Sequence, residues 1–141
     1  MEPSPLETLI ALREQELDLV ERSFAEAVAR EVAAEEKLTV AQAEILNEQR
    51  IASSPTADDG AVEAFSRWLP VGRQVVLDAR ERCREAAMDR EAVRSALIAA
   101  RAAMKAVKTL WEEQKEEERQ ADLRKEQNAL DELAVRQFGR S

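Results

Sequence analysis

This 141-residue chain carries 29 carboxylates, 21 lysines and arginines and one cysteine, but no histidine. The commonest general base and commonest metal ligand are therefore missing. A buried di-metal carboxylate bundle would need Glu-x-x-His pairs, and none can form. Gly60, Gly72 and Gly139 stand far apart, each near an expected break, so there is no glycine-rich phosphate loop. Cys83 is alone, which rules out an internal disulfide or a cysteine metal site and leaves it as a small apolar residue. Arg80, Arg82 and Arg84 hint at a nucleic-acid contact. Glu81 and Glu85 interleave them, however, helical spacing turns the three around the axis, and no aromatic stacking series accompanies them. The remaining carboxylates read as a solvated helical face. The chain is expected to be no enzyme, with no catalytic, cofactor-binding or metal residues, no cofactor and no nucleic-acid partner.

The elements behind these residues are two apolar stripes at alternating spacings of three and four. The first runs Leu6, Ile10, Leu17, Val20, Phe24, Ala27, Ala34, Leu38, Ala41 and Ile45, with Arg13 and Glu31 as polar members. The second runs Val62, Phe65, Leu69, Gly72, Val76, Ala79, Cys83, Ala86, Arg90, Val93, Leu97, Ala100, Met104, Val107 and Trp111. A 3.5-residue average repeat held over this many heptads predicts helices that keep one seam toward a partner. Ser4, Pro5 and Glu7 form a capping-box start. Breakers and turn formers from Ser53 to Gly60 end the first helix. The expectation is an all-α fold, a single long antiparallel two-helix coiled-coil hairpin over 1–141. Helix one spans about 5–51, the tip 53–60 and helix two about 61–138, with unequal arms. Pro70 predicts a kink or break at Leu69 to Gly72, or else a separate short helix over 61–69. Gly139 is placed to cap the carboxy end.

Composition supports a thin structure: 35% charged residues, 4% aromatic and three glycines do not suit a thick globular core. The net charge of −8 is lopsided, since residues 1–60 carry −9 and residues 61–141 carry +1. An acidic first helix beside a basic stretch from Arg80 to Lys108 favours pairing within the chain through flanking charges, although the same opposition suits two chains. The amino terminus lacks the basic start and apolar core of a signal peptide, and no stretch approaches the ~20 apolar residues of a membrane span. A cytoplasmic protein is expected.

A reversal at 53–60 sets residue 6 beside about residue 107, which leaves the segment after Trp111 without a partner in the chain. That segment is polar and helix-prone, with apolar residues returning at Leu123, Leu130, Leu133 and Phe138. Too few for a core, they are spaced for docking to another protein. Trp68 and Trp111 read as seam packing or as interface anchors.

Leu6-Glu7-Thr8-Leu9 ahead of an acidic heptad helix, Ala34-Glu35-Glu36-Lys37-Leu38 midway, Arg67-Trp68 after the tip and Leu130-Asp131-Glu132-Leu133-Ala134 near the end carry a resemblance. Together with the length and the hairpin layout they resemble the FliJ family, the coiled-coil component of bacterial flagellar type III export. The resemblance implies a hairpin similar to the central shaft of rotary ATP synthases, entering the pore of a hexameric export ATPase and linking it to the export-gate membrane protein. It also implies contact with export chaperones and a place at the inner membrane held through the export apparatus. On that basis Leu123, Leu130, Leu133 and Phe138, supported by Arg124 and Arg136, are expected to meet the ATPase, and Trp68, Leu69, Val71 and Val75 the gate. A dimeric coiled-coil scaffold or a holdase chaperone is the alternative.

Overall fold

In the computed structural model, which describes residues 2–139, two helices account for nearly all of the chain: α1 (Pro5–Ala52) and α2 (Asp59–Phe138). The outermost bounds of the expected hairpin, 1 and 141, lie outside the described residues. The fold is an all-α helical hairpin whose second helix has 80 residues against 48 in the first. Its caps follow from the residues at each end. The Ser4 hydroxyl accepts from the Glu7 amide while the Glu7 carboxylate accepts from the Ser4 amide, both at 3.2 Å, which completes the capping box around Pro5. Asp58 begins α2, its carboxylate accepting from the Ala61 amide at 2.8 Å. Between them, Ser53 to Asp58 make a short link in which the Ser54 and Thr56 hydroxyls lie 2.9 Å apart. At the far end the Gly139 amide donates to the Val135 carbonyl at 2.9 Å, with no left-handed backbone.

Pro70 lies inside α2, and the helix runs through it, so residues 61–69 are not a separate element. Proline forfeits one backbone bond to the preceding turn. Its exposed ring stands on the outer side of the helix, where that loss can be met by solvent.

The chain comprises two compact units, one of Asp18–Ile98 and one of Met1–Leu17 with Ala99–Ser141. In the first, the seam is narrow and rich in small residues: Ala27, Ala41, Val76, Ala79 and Leu97 are buried, while Phe24, Ala34, Leu38, Ile45, Ala86 and Val93 are half-buried around them. Glu31 and Arg90, the polar members of the two stripes, meet as an ion pair and hydrogen bond. The Glu31 carboxylate holds the Arg90 guanidinium above its ordinary pKa. Among the described residues this is the one ion pair that joins the two helices. The broad pairing expected between an acidic α1 and the basic stretch is thereby corrected, because Arg84 binds Glu81 and Arg94 binds Glu91 on their own helix. A carboxylate one turn away is reached without straightening a long side chain across the seam. Val62 is also corrected, since it is exposed in the first turns of α2.

In the second unit, Met104 and Val107 are buried and Leu6, Ile10, Arg13, Leu17 and Trp111 half-buried. Leu6 lines a groove of ≈ 430 Å³ with Leu110, Glu113, Gln114 and Glu117. Its neighbours thus lie about a turn further along α2 than residue 107. The physical reason is at the tip, where the first turns of α2 already face Ile51 and Ala52 and so belong to the reversal. Residues 118–139 of this unit are all exposed.

Leu97, 5% exposed, and Ile98, 55% exposed, are adjacent in α2 and differ only in facing the seam or solvent. Chemical denaturation should show Leu97→Ala destabilised by about 2–3 kcal/mol and Ile98→Ala changed by no more than about 0.5 kcal/mol. Equal losses would mean that the seam is misplaced.

Candidate functional site

Along the carboxy-terminal arm of α2, every described residue after Trp111 is exposed. Leu123, Leu130, Leu133 and Phe138 are between 50% and 82% exposed. At about 100° per residue, Leu123, Leu130 and Leu133 lie within roughly 80° of one another, and Phe138 lies about 60° from Leu123 on the other side. The same spacing turns Leu123 about 120° from Trp111, so the arm's stripe is not a continuation of the seam. Continued at the same spacing, the seam positions become Gln114, Glu118, Ala121, Lys125, Asn128, Glu132 and Val135, a mostly polar row. Arg124 and Arg136 flank the stripe, both exposed and neither engaged in an ion pair.

Pairs along the helix support this arm instead. Arg119 grips Glu116 through two bonds, Nη2 to Oε1 at 2.6 Å and Nε to Oε2 at 3.0 Å, and Gln120 adds a third at 3.3 Å. Lys115 and Glu118 lie 3.6 Å apart, and Gln127 donates to Asp131 at 3.3 Å. Such pairs support an exposed helix modestly. The Arg119 guanidinium holds the Glu116 carboxyl below the ordinary carboxylate range. Because the folded pKa is lowered, this support is present above the ordinary value and fades as pH falls through the lowered one. The Glu116–Arg119 clamp went unread in the sequence, although its three-residue spacing is a legible signal.

At the tip, the four residues expected to meet the gate divide in two. Trp68 and Leu69 are half-buried, whereas Val71 and Val75 are exposed. Trp68 lies tilted against Phe65, with ring centroids 6.3 Å apart, and both line a groove of ≈ 360 Å³ with Ile51, Ala52 and Ala64. The indole reaches over Gly72, where an added Cβ would come within 2.7 Å of Cη2. A glycine in a helix interior costs about 1 kcal/mol relative to alanine. Here the missing methyl makes room for the ring. Trp111, in the other unit, has Lys115 Nζ 5.7 Å from its ring centre and a buried Nε1 without an acceptor.

No group of three or more His, Cys, Asp or Glu side chains converges on a metal site among the described residues, and no helix among them is long and apolar enough to cross a membrane. The geometry offers helical surfaces and shallow grooves.

The Trp68–Gly72 contact predicts a change of sign. Gly72→Ala in the parent chain should be neutral or destabilising, because the ring must move. In a Trp68→Ala background the same substitution should stabilise by about 0.5–1 kcal/mol. Equal effects in both backgrounds, measured by thermal unfolding, would remove the contact from the account.

No curated protein and no solved structure matches the chain significantly. The family model described as flagellar FliJ protein matches residues 1–141, the whole chain. With the two-helix hairpin and its unequal arms already established, this chain belongs to the FliJ family and is a flagellar export-related protein.

Proposed function

We propose that the chain is a non-catalytic, shaft-like component of the flagellar type III export apparatus. It binds the hexameric export ATPase through the end of α2 and couples that enzyme to the export gate and to export chaperones. The observation that supports this reading is the arm: a charge-clamped helix that continues past its α1 neighbours and carries Leu123, Leu130, Leu133 and Phe138 on its outside. Aliphatic anchors rimmed by Arg124 and Arg136 suit a partner cavity that desolvates the leucines and supplies acceptors to the guanidinium groups. Trp68, Leu69, Val71 and Val75 at the tip are the proposed gate contact. Two ends that bind different partners make a link between them, and the reaction chemistry stays with the ATPase. The protein works on the cytoplasmic side of the inner membrane, held there through the apparatus.

Replacing Leu130 and Leu133 together by serine tests this directly. Binding to the purified export ATPase should weaken about tenfold or more, while the thermal midpoint of the free chain stays within a degree or two of the parent. Retained binding would place the ATPase contact elsewhere. A fallen midpoint would make the arm part of the fold. A chain that binds no ATPase but forms extended dimers would favour the scaffold reading.

A further inference from the structure

A second surface uses neither the arm residues nor the tip residues. On one side of the hairpin, within the unit Asp18–Ile98, Ile45 and Val76 form the floor of a groove of ≈ 480 Å³, and Leu46 and Leu77 line it. Leu46 is 66% exposed and Leu77 55%, so each helix contributes a large aliphatic side chain that the hairpin does not cover. Arg73 and Arg80 line the same groove two helical turns apart, with Gln42 of α1 facing them. Neither guanidinium has a carboxylate partner, although the chain carries a net charge of −8. The sequence shows why. Gln42 and Gln49 occupy the heptad positions at which α1 carries Glu14, Glu21 and Glu35 further back. Val28 already interrupts that row, and the α1 carboxylates closest in sequence to Leu46, Glu44 and Glu48, form no ion pair with either arginine.

We infer that this groove is a docking strip for an acidic amphipathic helix of another protein. Such a helix lays an aliphatic row between Leu46 and Leu77 and sets carboxylates on Arg73 and Arg80, adding a third helix to the hairpin. The choice of occupant rests on charge. Two guanidinium groups about 10 Å apart along one helix match carboxylates seven residues apart on a partner helix. An apolar floor between them rewards side chains that a phosphate backbone does not have. Binding of this kind is helix-in-groove recognition, with the leucines giving affinity and the arginines giving orientation and partner choice. The inference goes beyond the proposed roles of the arm and the tip, because it uses neither set of residues.

The test is fluorescence anisotropy on the full chain with a labelled three-heptad peptide bearing leucine at a and d and glutamate at e and g, whose like charges keep it from pairing with itself. The parent chain should bind it, and raised salt should weaken the complex. Arg73→Glu with Arg80→Glu should weaken binding about tenfold, as should Leu46→Ser with Leu77→Ser. Arg30→Glu with Arg82→Glu, which alter a different groove, should leave it unchanged. Circular dichroism checks that helicity is kept, and Arg73→Gln with Arg80→Gln, expected to give a smaller loss, replaces the reversal if that variant unfolds. Equal binding of a peptide with lysine in place of glutamate would overturn the inference, as would indifference to the Arg73 and Arg80 changes. A parent chain that is a dimer in light scattering and becomes a monomer on the same substitutions would also overturn it, in favour of a second copy.

Discussion

Everything in this molecule follows from having only two helices to pack. Two helices share one line of contact, so each buries a single stripe and leaves most of its circumference in water. Among the described residues seven hydrophobic side chains are buried, and three of them are alanines, Ala27, Ala41 and Ala79. Alanine lets two backbones approach closely but removes little apolar area from water. The remaining specification must come from elsewhere. The capping box at Ser4 and Glu7, the Asp58 cap and the pairs along each helix stabilise the helices locally. The Glu31–Arg90 pair marks one point on a seam that alanines alone would let slide. A polar pair placed among apolar seam residues sets register at some cost in stability.

The seam was largely legible in the sequence. Leu6, Phe24, Ala27, Leu38, Ala41 and Leu97 stand where their spacing put them, because nothing breaks the 3.5-residue repeat within either stripe. Val62 failed for a local reason, since the first turns of a helix have neighbours on one side only. Register was less legible. Periodicity says which face of a helix is buried and nothing about how far the partner has slid, so Leu6 was set about a turn short of Leu110 and Glu113. Pro70 shows the converse limit, a strong local breaker accommodated within a long helix. The groove of Leu46, Leu77, Arg73 and Arg80 was not legible at all. None of these four sits on either stripe, and only the packing of α1 on α2 brings them together. The family, by contrast, was readable from short segments spread over the chain, and the family model spans all of it.

Stability and surface are therefore carried largely by different residues. Most seam residues face the opposite helix, and Ile45 and Val76 also form the floor of the lateral groove. The arm and the rim of the lateral groove present exposed apolar side chains, whereas Trp68 and Leu69 at the tip are half-buried. Gly72 beneath Trp68 shows the same economy at the tip, where a methyl group is given up to seat a ring.

The central claim is that the end of α2 is a helix held in reserve for the export ATPase and independent of the seam. Hydrogen exchange read by mass spectrometry, on the full chain alone and with the ATPase, addresses it most directly. Alone, amides over 118–138 should exchange much faster than those around Leu97 and Met104. With the ATPase they should become strongly protected while the seam amides stay as they were. Arm amides already as protected as the seam in the free chain, or unmoved by the ATPase, would contradict the account.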